Sequence, residues 1–265
     1  MTNKIFNESC VTTLVKMIKN NIQVDLVLTS PFYNTNKKAG KSRTLNNITN
    51  NGYPYVRYDS FVDNMDDDTY RVFIKNIFDK IDVVLAKNGV ILWQCSYGAE
   101  GAQKLIDNIY FLGKTTNFTC ADIITWKKDT ALPNNMSFNK ATRITEYVFV
   151  FCRRDEYDTF FANKKVVSVR KTGQKNYSSF YNFIQAKNND GPCKLNKATF
   201  STELCTKLLD IYSEKGKIVY DPFIGTGTTA IAALEKGMSF IGSEISKDQY
   251  DYACKRIADY TLNKE

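Results

Sequence analysis

The sequence predicts an α/β protein with a mostly parallel sheet covered by helices on both faces. Short aliphatic runs, such as VDLVLT at 24–29 and VILWQC at 90–95, alternate with longer segments of helical spacing. The chain has 265 residues, 43% of them hydrophobic, which is enough for a large core without disulfides. Alternation of this kind favours parallel strands joined by helical crossovers.

The first part of the chain contains four predicted strands, at 24–29, 90–95, 121–126 and 146–152. The acidic residues 66–68 favour the N-terminus of a helix, which is expected to end at Gly89. A second helix is expected over about 100–111. Residues 34–60 are rich in Asn, Lys, Gly and Thr, and this composition predicts a loop.

The last third of the chain repeats the alternation of strand and helix. Ser201 is a predicted N-cap for a helix that runs to about Tyr212, and Ser246 is a predicted N-cap for the final helix. Strands are expected at 217–220 and 238–242, with a helix between them that begins near Thr226.

The composition excludes several kinds of chemistry. The chain contains no histidine, so a Ser-His-Asp triad, a Cys-His pair and a histidine metal site are all excluded. Its seven cysteines form no C-x-x-C pair and are odd in number, which argues against a zinc site or a disulfide framework and favours the cytoplasm. We expect no membrane span, because no apolar run reaches about 18 residues. Residues 1–7 lack the pattern of a secretory signal.

The positive charge is concentrated in two segments. The net charge of the chain is +8, whereas segment 34–60 carries +4 and segment 153–197 carries +6, so the remainder is slightly acidic. This distribution predicts a polyanionic partner such as nucleic acid. The alternative is that both segments are solvated, lysine-rich loops.

The clearest chemical motif is DPFIGTGTT at 221–229, which joins a predicted strand to a predicted helix. Glycines in such a turn let a ligand approach the backbone, and ligands of open α/β sheets bind at the carboxyl ends of strands. Glu244 ends the next strand about twenty residues later, where a carboxylate can accept hydrogen bonds from ribose hydroxyls. The candidate cofactor-binding residues here are Asp221, Phe223, Gly225, Gly227, Thr228 and Glu244.

A second motif, TSPFY at 29–33, also follows a predicted strand. The Ser30 hydroxyl and the Pro31 carbonyl can accept hydrogen bonds from an amine, and the Tyr33 ring can stack on a planar group. These three residues are the candidate catalytic residues.

Together the two motifs resemble those of the β class of DNA amino-methyltransferases. DPFIGTGTT with Glu244 resembles their motifs I and II, and TSPFY resembles motif IV, which here precedes motif I in the permuted order of that class. Residues 7–10 occupy the place of motif III, so Ser9 and Cys10 are candidate adenine contacts. Segment 197–201 resembles motif X, and 146–151 resembles a later strand of the catalytic half. In motif IV, Phe32 stands where the family has a second proline.

The resemblance implies a Rossmann-like methyltransferase fold with a seven-stranded sheet, S-adenosylmethionine as cofactor and double-stranded DNA as partner. Its three parts would be a catalytic half at 1–152, a target-recognition region at 153–196 and a cofactor-binding half at 197–265. The reaction would be methyl transfer to the exocyclic amine of a flipped base. The serine of motif IV slightly favours N4 of cytosine over N6 of adenine. Candidate DNA contacts are Lys37, Lys38, Arg43, Tyr55, Arg57, Arg153, Arg154, Lys164, Lys165, Arg170, Lys171 and Lys175.

Three other interpretations remain open. The protein could methylate RNA or a protein amide, or it could be a DNA-binding protein whose catalytic site has decayed. A cytosine-ring methylase would use a Pro-Cys nucleophile, but we interpret Pro192–Cys193 as a turn in a polar segment. A homodimer and a companion restriction endonuclease are partners that the sequence leaves open.

Overall fold

A computed structural model describes residues 1–34, 65–97, 101–131, 133–135, 137–191, 193, 195–196 and 199–263. Its strands are Lys4–Phe6 (β1), Val24–Thr29 (β2), Leu85–Cys95 (β3), Phe118–Lys128 (β4), Thr145–Arg153 (β5), Val166–Val169 (β6), Lys175–Tyr177 (β7), Phe183–Ala186 (β8), Ile218–Asp221 (β9) and Ser239–Ser243 (β10). Its α-helices are Cys10–Lys19 (α1), Asp67–Val84 (α2), Gln103–Thr115 (α3), Thr202–Tyr212 (α4), Thr228–Glu235 (α5) and Lys247–Leu262 (α6).

The described residues form a central sheet with the strand order β1-β10-β9-β2-β3-β5-β4-β8. Seven of these strands run parallel, and β5 runs antiparallel between β3 and β4. The predicted α/β class with a mostly parallel sheet is therefore confirmed, with eight strands in the sheet rather than seven. Strands β6 and β7 form a separate antiparallel hairpin.

Two apolar cores cover the two faces of the sheet. On β2, Val27 faces a core with α1, α2 and α3, whereas Leu26 and Leu28 face a second core with α4, α5 and α6. Side chains of a strand alternate between faces, so an unbroken aliphatic run is expected where both faces are covered. This explains why β2 is so clear in the sequence.

The connections that leave two neighbouring strands, β9 and β2, lead to opposite sides of the sheet. From β9 the chain passes through α5 to β10 on one side, and from β2 it passes through α2 to β3 on the other. A crevice opens at the carboxyl ends of two strands that diverge in this way. The two motifs that follow β9 and β2 therefore meet at one place.

Several predicted boundaries are correct and others are wrong. Ser201 and Ser246 cap α4 and α6, as expected. The first predicted helix ends at Val84 rather than at Gly89, and Gly89 lies inside β3. Its Cβ position is 2.8 Å from the carbonyl oxygen of Asp25, so glycine is required by a close strand contact and not by a helix end.

The sequence analysis did not predict β1, α1, β8 or the β6–β7 hairpin. The strands in this group have only three or four residues, too few to establish an alternation. Strand β8 belongs to the predicted region 153–196 but pairs with β4, so this region contributes an edge strand to the central sheet. Among the described residues, no helix is long and apolar enough to cross a membrane.

Candidate active site

A buried carboxylate joins the ends of β2 and β9. Asp221 is 1% exposed, and it accepts hydrogen bonds from the hydroxyls of Thr29 (2.6 Å) and Thr229 (2.6 Å) and from the Phe223 amide (3.0 Å). Thr29 immediately precedes the candidate catalytic Ser30. The carboxylate thus fixes the catalytic segment to the glycine-bearing turn.

Burial and hydrogen bonding act on the pKa of Asp221 in opposite directions. Burial raises the pKa to about 6, although the three hydrogen bonds lower it. The residues that line the neighbouring cavity include Pro222 and Phe223 but not Asp221. Asp221 therefore has a structural role at this junction, and the direct cofactor contact predicted for it stays a prediction.

A cavity of about 260 Å³ opens beside this junction. One wall is apolar, and Phe32, Phe73 and Phe223 contribute to it. The polar part of the lining includes Glu244 and Ser9. Flat apolar walls with a nearby carboxylate suit a ligand that combines an aromatic base with a ribose.

Glu244 is held at the rim of this cavity by backbone amides. One carboxylate oxygen accepts from the Gly225 amide (3.0 Å), and the other accepts from the Ser246 amide (2.8 Å). Burial raises its pKa above the usual value, while the amide hydrogen bonds oppose that shift. Each carboxylate oxygen can accept more than one hydrogen bond, so ribose hydroxyls can also be bound.

Ser9 and Cys10 lie at the N-terminus of α1, and both line the cavity. The Ser9 hydroxyl accepts from the Val11 amide at 3.3 Å, and this contact caps the helix. Burial raises the pKa of the Cys10 thiol to about 12, so this thiol stays protonated at neutral pH. Ser9 and Cys10 thus line the same cavity as Glu244, and their contact with the cofactor's adenine stays a prediction.

The residues of the glycine turn have different roles. Gly225 has a φ of 54° and lines the cavity. Gly227 has a φ of 86°, and its Cβ position is only 3.2 Å from the Cβ of Ala253 on α6. The Thr228 hydroxyl accepts from the Arg256 guanidinium at 3.0 Å. Gly227 and Thr228 therefore contribute to helix packing, and the cofactor contacts predicted for them stay predictions.

Phe32 is a structural anchor at the position where the family has a proline. Its ring lies 5.3 Å from that of Tyr70, 5.7 Å from that of Phe73 and 5.9 Å from that of Phe223. The Tyr70 hydroxyl donates to the Phe32 carbonyl at 2.7 Å. Edge-to-face packing and this hydrogen bond fix the backbone that follows Ser30 and Pro31.

Ser30 lines the cavity, and its hydroxyl oxygen lies 3.3 Å from that of Tyr33. The Tyr33 hydroxyl donates to the side-chain carbonyl of Gln94 at 2.8 Å. Pro31 is buried between them. The structure therefore brings the three candidate catalytic residues together beside this cavity.

Two of the candidate DNA contacts also bind other parts of the protein. The Arg153 guanidinium is mostly buried, and it bonds to the Asp82 side chain at 2.6 Å and to the Leu85 carbonyl at 2.6 Å. Arg154 donates to the Gly113 carbonyl. Arg153 is the last residue of β5 and pairs with the first residue of β4, about 20 Å from the edge that holds Ser30 at ~3.3 Å per residue. Both arginines therefore have a structural role, and their contact with DNA stays a prediction.

The remaining basic candidates divide into two groups. Lys164, Lys165, Arg170, Lys171 and Lys175 are exposed on or beside the β6–β7 hairpin. The chain enters this hairpin beside the C-terminal end of α4, where the backbone N–H of Asn163 donates to the Ile211 carbonyl at 2.7 Å. Lys37, Lys38, Arg43, Tyr55 and Arg57 lie outside the described residues.

The structure reveals polar residues that the sequence analysis missed. Gln94 and Glu146 line the same edge as Ser30 and Tyr33, and a 2.7 Å hydrogen bond joins their side chains. Gln94 is 2% exposed in the structure. In the sequence it is the one polar residue in the apolar run VILWQC, and a polar residue in a predicted buried strand could have marked it as a functional candidate. Segment 129–144 also leaves and re-enters the sheet at this edge, with Phe138 fully exposed.

Comparison with known proteins identifies the family of the chain. A DNA methylase family, that of the N6 and N4 methyltransferases, matches residues 24–255. Type II methyltransferase M.BglII of Bacillus subtilis is 27% identical over 95% of this chain and 68% of its own length. Orphan methyltransferase M.BamHII of Bacillus amyloliquefaciens is 27% identical over 68% of this chain and 78% of its own length.

Solved structures share the fold. The cytosine-N4-specific PvuII DNA methyltransferase superimposes with a TM-score of 0.64 and 14% identity, covering 98% of this chain and 91% of that one. The complex of M1.HpyAVI with S-adenosylmethionine gives a TM-score of 0.61 and 20% identity, covering 96% and 98%. The family match covers most of the chain, and the chain therefore belongs to the N6/N4 family of S-adenosylmethionine-dependent DNA methyltransferases.

Proposed function

We propose that this protein methylates the exocyclic amine of a flipped base in double-stranded DNA, and that the base is cytosine, methylated at N4. The observation that carries the reaction is the position of Ser30, which lines the cofactor cavity and contacts Tyr33. The preference for cytosine rests on the serine in the first position of motif IV. Adenine, methylated at N6, is the alternative within the same family.

The catalytic segment prepares a weak nucleophile. The lone pair of an exocyclic amine is delocalised into the base, so the nitrogen attacks poorly. Hydrogen bonds from the amine to the Ser30 hydroxyl and the Pro31 carbonyl make the nitrogen more tetrahedral and localise the lone pair. S-adenosylmethionine supplies the electrophilic methyl group when it is bound. The amine needs no strong base before attack, because its proton can leave afterwards, and this suits a chain without histidine.

The cofactor contacts follow from the cavity. Glu244 would accept the ribose hydroxyls, and Phe223 with Ser9 and Cys10 would enclose the adenine. Gly225 would let the ligand approach the backbone of the turn. Two features of the cavity fit S-adenosylmethionine: its aromatic wall, and the Glu244 carboxylate that two backbone amides hold in place.

The DNA-binding surface would combine three parts of the chain. We propose the basic segment 34–60, the exposed lysines of the β6–β7 hairpin, and segment 129–144, where Phe138 is exposed beside the basic Lys140. Basic residues suit phosphates, and an exposed aromatic ring suits stacking against a displaced base. We further propose that the protein acts in the cytoplasm, since all seven cysteines are unpaired.

One labelling experiment tests this function. Purified protein is incubated with labelled S-adenosylmethionine and mixed-sequence duplex DNA, and the DNA is digested to nucleosides for mass spectrometry. Label on 4-methylcytosine is the expected result, and label on 6-methyladenine selects the alternative base. Cofactor binding without any labelled DNA would refute the proposed substrate, and RNA would then be assayed. Gel filtration of the same protein, alone and with DNA, tests whether it forms a homodimer.

A further inference from the structure

A line of hydrogen bonds leads from the catalytic segment to a carboxylate. The oxygens of Ser30 and Tyr33 lie 3.3 Å apart, and the Tyr33 hydroxyl donates to the carbonyl oxygen of the Gln94 side chain at 2.8 Å. The amide nitrogen of Gln94 donates to Glu146 at 2.7 Å. The other oxygen of Glu146 forms an ion pair with Lys128.

These side chains lie along one edge of the sheet. Tyr33 follows β2, Gln94 is near the end of β3, and Glu146 is near the start of the antiparallel β5. Strand pairing places Gln94 opposite Val148 and Glu146 opposite Trp126 of β4. The Glu146 side chain is 16% exposed, so the line is largely shielded from water.

The carboxylate determines the direction of every hydrogen bond in the line. An ionised carboxylate can only accept, so Gln94 must direct its amide nitrogen to Glu146 and its carbonyl oxygen to Tyr33. Tyr33 must then use its single proton on Gln94. In the contact between Ser30 and Tyr33, the proton therefore comes from Ser30.

This direction matters for the reaction at Ser30. A Ser30 hydroxyl that gives its proton to Tyr33 presents only lone pairs to the target amine, and it can accept the amine's N–H. A Ser30 hydroxyl with the opposite orientation would donate toward the nitrogen and occupy the lone pair that attacks the methyl group. The two orientations thus have opposite effects on the same nitrogen.

We propose that Glu146 is a positioning residue that fixes the polarity of Ser30 through Gln94 and Tyr33, so that Ser30 accepts a hydrogen bond from the target amine. This proposal rests on the proposed function. Glu146 itself does not contact the reacting atoms. Its role is to exclude the reversed arrangement, in which Gln94 is flipped and every donor in the line points toward the substrate.

The test is a double-mutant cycle between Glu146 and Ser30. Glu146→Gln is nearly isosteric but can donate as well as accept, so it permits the reversed arrangement. We expect it to lower the single-turnover rate of methyl transfer by about tenfold or more, with an unchanged Kd for S-adenosylmethionine. In a Ser30→Ala background, the same substitution should change the rate by less than about twofold, because no hydroxyl is left to orient.

A second variant tests polarity directly. The exchange Gln94→Glu with Glu146→Gln keeps the composition and charge and restores an acceptor-only group beside Tyr33. We expect it to recover most of the rate lost in Glu146→Gln. Asp79→Asn, which removes an exposed ion pair with Lys75 on α2, is the matched control and should keep the wild-type rate.

The outcomes separate this proposal from the proposed function. If the wild-type protein transfers no methyl group to DNA, the function is wrong. If the wild type is active but Glu146→Gln keeps its rate, or if its loss is equally large in the Ser30→Ala background, the polarity proposal is overturned. If the rate of Glu146→Gln falls together with weaker cofactor binding or a lower Tm, Glu146 has a structural role and the polarity proposal is likewise overturned.

Discussion

The carboxylate of Asp221 makes the stability of the fold depend on pH in a predictable direction. Burial raises its pKa from 3.8 to about 6. The folded state therefore binds the proton more tightly than the unfolded state does. The stabilisation by the protonated acid is complete below the unfolded pKa near 4, and it is lost as the pH rises through about 6.

The magnitude follows from the size of the shift. A shift of about two pKa units corresponds to about 3 kcal/mol of unfolding free energy. Asp221→Asn removes this titration while keeping the shape of the side chain. The Asn oxygen can accept from Thr29 and the Asn nitrogen can donate to Thr229, so most hydrogen bonds are preserved. We expect the variant to gain about 3 kcal/mol relative to the wild type between about pH 4 and pH 8.

Urea unfolding of both proteins across this pH range measures the effect. Subtracting the unfolding free energy of the wild type from that of Asp221→Asn at each pH cancels the contribution of the other titrating groups. Thr229→Val is the matched variant, because it deletes a hydroxyl that lowers the pKa of Asp221, so the loss of stability should move to higher pH. A difference between wild type and Asp221→Asn that stays constant with pH would refute the reasoning.

Three further substitutions test the site and its supports. Glu244→Gln should weaken binding of S-adenosylmethionine by about 10- to 100-fold in calorimetry, because hydrogen bonds to a charged group are stronger than those to a neutral one. An unchanged affinity would show that Glu244 does not bind the cofactor. Tyr70→Phe leaves the Phe32 carbonyl without its donor and should cost about 1–3 kcal/mol in urea unfolding, whereas an unaltered midpoint would show that this hydrogen bond does not support the catalytic segment. Gly227→Ala places a methyl group 3.2 Å from Ala253 at a φ of 86°, so we expect a loss of about 1–3 kcal/mol, and a stable variant would contradict the tight packing.

The catalytic segment illustrates how far the sequence leads. Local patterns identified TSPFY and DPFIGTGTT, because a strand that ends in Pro or Gly is recognisable from neighbouring residues alone. The same patterns named Glu244 as a candidate ribose contact, and the structure places Glu244 in the lining of the cavity. In contrast, no local pattern shows that Asp82, remote in the chain, pairs with Arg153, which the sequence analysis named only as a candidate DNA contact.

The sequence by itself determined the class of fold, the two motifs and the family to which they belong. These features depend on periodicity and on short spacings along the chain. Only the tertiary structure decided that Asp221 accepts a hydrogen bond from Thr29, and that Gln94 and Glu146 continue the line from Tyr33. The physical reason is that hydrogen bonds between strands join residues far apart in the chain, and strand order and register alone decide which of them meet.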